Sequence, residues 1–283
     1  MTSGGEGEGR LPGRVRVFPT PEALANAAAA MVAGILREAI AARGRASLVL
    51  AGGSTPRPVY RRLAGRGPGD VSAGTSLPGD GRRGGGAGAD GSAATFFAVD
   101  WRRVEVFYGD ERAVPPDDPA SNHRMARETL LDHVPVPGEA VHRVRGELGP
   151  EEAAAAYERE LVAALGEAPR FDLVLLGLGG DGHTASLFPG DVAGEDRVPP
   201  GRLVAAATAP VVPRQRVTLT YRALAAARSV LFLVEGAGKA AMVARVLSGD
   251  LALPATRVRP AAGEPLWFLD AAAAAELSPE EGR

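Results

Sequence analysis

Four mainly apolar runs in this chain each stop at a glycine that opens a polar turn. The runs occupy residues 46–51, 104–108, 171–176 and 229–235, and the glycines that follow them are Gly52, Gly109, Gly177 and Gly236. Short runs of this kind are typical of strands buried on both faces of a parallel sheet. Because helical patterns separate them, the sequence predicts a three-layer α/β fold, with a Rossmann-like, doubly wound, mostly parallel sheet flanked by helices. If the four strand ends share one edge of that sheet, they form one ligand site.

The chain is predicted to form a single α/β catalytic domain over residues 15–276, between two tails. Residues 1–14 are rich in glycine and charge, which is typical of disordered segments, and residues 277–283 are the second tail. Residues 65–95 hold 11 of the 37 glycines and little apolar periodicity, so we interpret them as a flexible insertion within a loop. Helices are predicted after Thr20 and over residues 150–165.

The composition excludes several classes of partner. None of the 283 residues is a cysteine, which excludes disulfides and thiolate metal sites. A net charge of −2 and a pI near 6.1 create no field that would attract nucleic acid or an anionic membrane. The N-terminus has no signal-peptide core, and we find no apolar run near the ~20 residues of a membrane span. We therefore expect a cytoplasmic protein without nucleic-acid or membrane partners.

The segment 171–189, FDLVLLGLGGDGHTASLFP, carries the strongest catalytic signal. It places His183 two residues after Asp181, just beyond a buried strand. An imidazole ordinarily titrates near ~6.5, close to working pH, and a neighbouring carboxylate can orient it, so the pair is typical of a general base. The backbone N–H groups of Gly179 and Gly180 are candidates to stabilise an oxyanion.

The same segment also satisfies the pattern G-x-G-x-x-G, which is the fingerprint of dinucleotide-binding proteins. That fingerprint requires a helix directly after the last glycine. Pro189, Gly190 and the pair Pro199–Pro200 interrupt the region where the helix would run. The pattern therefore does not indicate a nicotinamide cofactor.

Two helix starts are candidate anion sites. The turn Gly52-Gly53-Ser54-Thr55 joins a strand to a helix, an arrangement that presents backbone N–H groups to an anion, although ordinary turns share it. Lys239 is the only lysine among the 32 basic residues and stands at the start of another predicted helix. Since a cation there opposes the helix dipole, an anionic ligand would remove the conflict.

Polar residues also follow the strand at 104–108. Asp110, Arg112 and Asn122 are candidates to bind sugar hydroxyls or phosphate. A solvated, salt-bridged loop would explain the same residues. The four histidines show no metal-ligand spacing, so no metal site is predicted, and a surface position is favoured for His123 over contact with a substrate.

Six motifs occur in the order found in one enzyme family. They are AGGSTP at 51–56, GDER at 109–112, SNHRM at 121–125, GLGGDGHTASLFPG at 177–190, RVTLT at 216–220 and GAGKA at 236–240. With these motifs the chain resembles the 6-phosphogluconolactonases, which are related to the glucosamine-6-phosphate deaminases and isomerases. The resemblance covers roughly residues 15–270, apart from the glycine-rich insertion.

The resemblance implies hydrolysis of 6-phospho-D-glucono-1,5-lactone to 6-phospho-D-gluconate, a step of the oxidative pentose phosphate pathway, without a cofactor. It implies that His183 is the general base and that Arg112 and Lys239 hold the phosphate. The chemistry of the residues adds the 52–55 turn as a further phosphate ligand and Arg216 as a weaker one. Asp181 would orient the imidazole or help to place the water. The expected partner is a small sugar-phosphate lactone, and the protein is expected to be a monomer or a weak homo-oligomer.

Three alternatives remain open at this stage. Ser186 is a candidate nucleophile, but no nucleophile elbow surrounds it. Glucosamine-6-phosphate deaminases place a glutamate five residues after the histidine, where this chain has Phe188, and an apolar ring cannot transfer that proton. A non-catalytic sugar-phosphate sensor is the third alternative, and the presence of His183 counts against it.

Overall fold

Six parallel strands form the central sheet of the computed structural model, which describes residues 13–66, 97–260 and 263–278. In spatial order they are β1 (Arg14–Phe18), β9 (Leu266–Asp270), β8 (Val230–Val234), β5 (Leu173–Leu176), β2 (Ala46–Leu50) and β3 (Val104–Tyr108). Every residue of β2, β5 and β8 is buried, which explains their near-continuous apolar sequences. The predicted α/β fold with a mostly parallel sheet is confirmed.

A separate three-stranded sheet was not predicted. It consists of β4 (Asp110–Arg112), β7 (Gln215–Leu219) and β6 (Val204–Thr208), all antiparallel. Strand β7 lies in the middle of this sheet and pairs with β4 on one side and with β6 on the other, not with the central sheet. Their register places Arg112 directly opposite Arg216.

Helix α1 (Pro21–Arg43) has the expected caps. Thr20 Oγ1 accepts a hydrogen bond from the N–H of Ala23 at 3.1 Å, and Gly44 ends the helix in the left-handed conformation, at φ 77°. By length and composition alone, α1 could cross a membrane. The expectation that no apolar run approaches the length of a membrane span is therefore wrong for this helix. One of its faces, however, is buried in the hydrophobic core, which accounts for the apolar residues.

Beyond α1, the described residues form six further α-helices. They are α2 (Pro56–Leu63), α3 (Asn122–Thr129), α4 (Pro150–Leu165), α5 (Tyr221–Ala225), α6 (Ala240–Leu247) and α7 (Pro254–Arg257). The bounds predicted for α4 are confirmed. After β9, residues 271–276 form turns and not a helix.

The predicted insertion and tails lie almost entirely outside the described residues and stay predictions, as does the single-domain assignment. Arg14, which was counted with the first tail, belongs to β1. Within the described residues, one cluster of buried apolar side chains includes members of both sheets. At its centre the rings of Phe232 and Trp267 stack with centroids 3.8 Å apart.

Candidate active site

The carboxyl ends of β2, β3, β5 and β8 surround a cavity of about 380 Å³. Cavities that bind small molecules have volumes of ~300–1,000 Å³. The residues of the sequence prediction that line it are Gly52, Gly53, Ser54, Thr55, Asp110, Arg112, Asn122, Gly179, Gly180, His183, Arg216 and Lys239. Asp181 is not a lining residue, but it binds His183, which is.

His183 and Asp181 form a hydrogen-bonded pair at the end of β5. The Nδ1 atom of His183 lies 2.5 Å from Oδ1 of Asp181, and the backbone N–H of His183 donates to the same oxygen at 3.1 Å. Partial burial raises the pKa of Asp181, but the backbone N–H and the imidazole of His183 outweigh burial and hold that pKa below its ordinary value. Because the ionised carboxylate accepts a hydrogen bond from the protonated Nδ1, the lone pair of the imidazole is left on Nε2.

Two neighbours fix the position of the imidazole. The ring of Phe188 packs against it with centroids 4.6 Å apart. On another side, Gly179 comes so close that a Cβ atom there would overlap Nδ1 of His183 and lie 2.7 Å from Oδ1 of Asp181. The N–H of Gly179 also donates to the carbonyl of His183 at 2.8 Å. A glycine at 179 is therefore required for the His183–Asp181 geometry.

Arg112 and Arg216 are the cationic part of the cavity. They lie opposite each other on β4 and β7, and the Nε atoms of both are buried without a hydrogen-bond partner among the described residues. Burial and the positive charge of Arg112 lower the pKa of Arg216, and the carboxylates of Asp110 and Glu111 oppose this only in part. From the sequence, Arg216 was a weaker candidate than Arg112 for binding phosphate. In the structure the two arginines lie side by side in the same cavity.

Asp110 organises the polar wall next to the arginines. Its carboxylate accepts hydrogen bonds from Oγ of Ser186 at 2.7 Å and from Nδ2 of Asn122 at 3.2 Å. Gly52 lies against Asn122 so closely that a Cβ atom at position 52 would overlap the amide. Ser186, the candidate nucleophile, is thus bonded to Asp110 and not to His183.

Glu111 holds the polar wall around Asp110 in place, and it was not among the site residues predicted from the sequence. Its buried carboxylate accepts the backbone N–H groups of Asn122 at 2.7 Å and His123 at 2.8 Å, and the hydroxyl of Ser121 at 3.1 Å. Burial raises the pKa of Glu111, although these N–H groups oppose the rise. The carboxylate thereby binds the first turn of α3 to β4. The one indication in the sequence was its position, between the predicted site residues Asp110 and Arg112.

The two predicted anion sites at helix starts both border the cavity. The 52–55 turn leads into α2, and the hydroxyl of Thr55 makes no capping hydrogen bond, which leaves it available to a ligand. Lys239 ends a short 3₁₀ segment, Ala237–Lys239, directly before α6. These groups stand on different strand ends from Arg112 and Arg216, so the cavity is cationic on more than one side.

The remaining histidines lie outside the cavity. His123 is half-buried rather than a surface residue, with Nδ1 2.8 Å from the hydroxyl of Tyr108, and burial lowers its pKa to about 4. His142 is buried between the carboxylates of Glu105 and Glu160. Among the described residues, no group of three or more histidine and acidic side chains is placed to hold a metal ion.

A family model described as glucosamine-6-phosphate isomerases/6-phosphogluconolactonase matches residues 19–82 and 85–267. The chain belongs to this family. The 6-phosphogluconolactonase of Nostoc sp. (strain PCC 7120) is 39% identical over 272 residues, which cover 93% of this chain and 98% of that protein. The human 6-phosphogluconolactonase is 36% identical, with 94% and 95% covered.

Solved structures agree with the family assignment. The 6-phosphogluconolactonase from Trypanosoma brucei superimposes with a TM-score of 0.70 at 29% identity and covers 95% of this chain. A monomeric glucosamine-6-phosphate deaminase gives a TM-score of 0.69 at 22% identity, which shows the shared fold alone. The resemblance to 6-phosphogluconolactonases inferred from the motifs is thus confirmed.

Proposed function

We propose that this family member hydrolyses 6-phospho-D-glucono-1,5-lactone to 6-phospho-D-gluconate. The relatives named 6-phosphogluconolactonase, matched over nearly their full length, support a lactone-hydrolysing enzyme. The observation that carries the proposal is one cavity that contains both a carboxylate-oriented imidazole and two arginines whose buried Nε atoms have no partner among the described residues. A base and an anion anchor are the two requirements of this substrate.

In this proposal His183 acts on water. Nε2 takes a proton from a water molecule as its oxygen attacks the lactone carbonyl carbon, and negative charge develops on the carbonyl oxygen. When the carbonyl re-forms, the bond from that carbon to the ring oxygen breaks, and the imidazolium returns the proton to the departing oxygen. Asp181 keeps Nδ1 protonated and stabilises the imidazolium. The N–H of Gly180 is the candidate oxyanion donor, because the N–H of Gly179 already donates to the carbonyl of His183.

The phosphate end of the substrate does not react, so its surroundings need only hold it. The Nε atoms of Arg112 and Arg216 have no acceptor among the described residues, and guanidinium groups match phosphate oxygens in geometry. Lys239 and the 52–55 turn line the same cavity. Each charge-assisted hydrogen bond contributes ~1.5–3 kcal/mol, which is enough to retain a small substrate while the lactone reacts.

The other activity named in the family description has less support. Phe188 occupies the position where deaminases have a glutamate, and it is buried against the ring of His183. An apolar ring at that place excludes a proton carrier. Isomerisation or deamination of glucosamine 6-phosphate is therefore disfavoured, as is a sensor that retains a complete base without turnover.

A rate measurement on freshly prepared 6-phosphogluconolactone tests the proposal, with the uncatalysed rate subtracted. We expect the wild-type protein to hydrolyse it and His183→Ala to lose at least ~10²-fold in kcat with KM largely kept. Lys239→Ala should mainly raise KM. His133→Ala is the matched control, since His133 is exposed and outside the cavity. Wild-type turnover by His183→Ala would contradict the mechanism, and deamination of glucosamine 6-phosphate by the wild type would contradict the assignment.

A further inference from the structure

A second cavity, of about 190 Å³, lies at the opposite edge of the central sheet. Its charged lining consists of four arginines, Arg43, Arg45, Arg170 and Arg228, and two acidic residues, Glu105 and Asp172. Apart from Arg43, the last residue of α1, these residues lie at the amino-terminal ends of strands whose carboxyl ends form the candidate active site. The two cavities are therefore separated by the length of the sheet.

The topology of the sheet explains why the arginines lie together. Arg45, Arg170 and Arg228 each stand shortly before a strand, namely β2, β5 and β8. These strands are adjacent and parallel, in the order β8-β5-β2. Neighbouring strands lie ~4.8 Å apart, so residues at equivalent positions before them are brought side by side.

The acidic residues are already occupied by partners. Oδ1 of Asp172 accepts from Nη2 of Arg43 at 2.6 Å and lies 3.2 Å from Nε of Arg228, and Oδ2 accepts from the N–H of Ser47 at 2.9 Å. Glu105 binds Nε2 of His142 at 2.6 Å. Both carboxylates therefore already have cationic or polar partners, with Asp172 buried and Glu105 half-buried.

Two of the arginines keep most of their donors. Arg45 makes no hydrogen bond or ion pair with any residue that the structure describes, and Nε of Arg170 donates to the carbonyl of Ala226 at 3.3 Å. A guanidinium has five N–H donors. The cavity therefore combines an excess of positive charge with solvent-exposed planar donor groups that are available to a ligand, which is the arrangement that recognises phosphate.

We propose that this cavity is a second anion site, which binds the phosphate group of a small metabolite. Its volume admits one such group and not a folded partner or a nucleic-acid strand. Arg45 and Arg170 supply the free donors, while Arg43 and Arg228, held by Asp172, contribute charge. The site is independent of the lactone chemistry and holds even if another reaction occurs in the first cavity.

Titration calorimetry of the full chain with pyrophosphate tests the proposal. We expect two binding events in the wild type. The double variant Arg45→Gln, Arg170→Gln should weaken one of them at least tenfold, and Arg216→Gln should weaken the other. The first variant retains the Asp172 contacts, so it should fold, which far-ultraviolet circular dichroism verifies.

The control removes the same charge elsewhere. Arg159 and Arg259 are exposed and line neither cavity, so Arg159→Gln with Arg259→Gln should keep both binding events. Three results would overturn the proposal: a single wild-type event that only Arg216→Gln removes, unchanged affinities in Arg45→Gln, Arg170→Gln, or equal weakening in that variant and the control. Selective loss in the double variant supports it, whatever the result of the lactone assay.

Discussion

Arg112 and Arg216 face each other across β4 and β7 as two like charges, each with a buried Nε that has no partner among the described residues. Such a pair destabilises the fold, because two cations are desolvated next to one another. Asp110 and Glu111 offset this only partly, and the pKa of Arg216 stays lowered by burial and by Arg112. A dianionic ligand would neutralise the two arginines. The repulsion that destabilises the fold is therefore also the reason to expect phosphate binding at this place.

Replacing Arg216 should therefore affect stability and affinity in opposite directions. Arg216→Met removes one of the two like charges and keeps an unbranched apolar chain, so we expect the free energy of unfolding to be unchanged or raised. KM for the lactone should rise roughly 10–100-fold, because one charge-assisted bond of ~1.5–3 kcal/mol is lost. Denaturant titration and initial rates measure both. Arg259→Met, at an exposed position, is the control; a marked loss of stability together with an unchanged KM would refute this interpretation.

The sequence predicted the parallel sheet and the residues around the cavity for a physical reason. A continuous apolar run predicts a strand that is buried on both faces. The polar groups that follow such a strand lie at the same edge of the sheet as those that follow its parallel neighbours. That logic placed His183 and Lys239, which follow different strands, in one cavity. Their chemical roles remain proposals.

The pairing of Arg112 with Arg216 could not be predicted in the same way. An alternating strand such as residues 215–219 shows which side chains share a face, but not which strand lies next to it. The position of His123 was also wrong, because its hydrogen bond to Tyr108 depends on tertiary contact and leaves no local pattern. A single sequence does not show which distant residues bind its buried polar groups.

Gly179→Ala should impair catalysis without unfolding the protein. The added Cβ would overlap the imidazole of His183 and force the His183–Asp181 pair apart. Misplacement of a catalytic group by about 1 Å costs roughly 10²-fold in rate, so we expect kcat to fall by that factor. Gly180→Ala, where a Cβ meets nothing within 4 Å, should lose far less. Rates and thermal melts compare the two variants, and equal losses of kcat would show that the contact with His183 is unimportant.

His142 should make stability depend on pH. Burial lowers its pKa, but hydrogen bonds to Glu160 and Glu105 and the charges of these carboxylates outweigh burial and raise it above the ordinary 6.5. Since the folded-state pKa exceeds the unfolded one, the stabilising effect is complete below the unfolded value and is lost as pH rises through the folded value. The wild type should thus exceed His142→Gln in unfolding free energy more at about pH 5.5 than at about pH 8.5.

Denaturant titrations at the two pH values measure this difference, and the variant His133→Gln, at an exposed histidine, corrects for general effects of pH. If the advantage of the wild type over His142→Gln is the same at both pH values, the ion pairs with Glu105 and Glu160 do not contribute to stability. If the stability advantage of the wild type grows with pH, the pKa of His142 is lowered in the folded protein and not raised.

Ser186→Ala separates attack by water from attack by a serine. Oγ of Ser186 donates to Asp110 at 2.7 Å and lies in the cavity wall, so its removal leaves Asp110 with the donor from Asn122 and costs about 1–3 kcal/mol of stability. Under direct attack by water, kcat should fall less than ~10-fold, because His183 and Asp181 are untouched. A nucleophilic serine would make this variant as inactive as His183→Ala. Initial rates, together with intact-protein mass spectrometry during turnover, distinguish the two, since only the serine mechanism passes through an acylated chain.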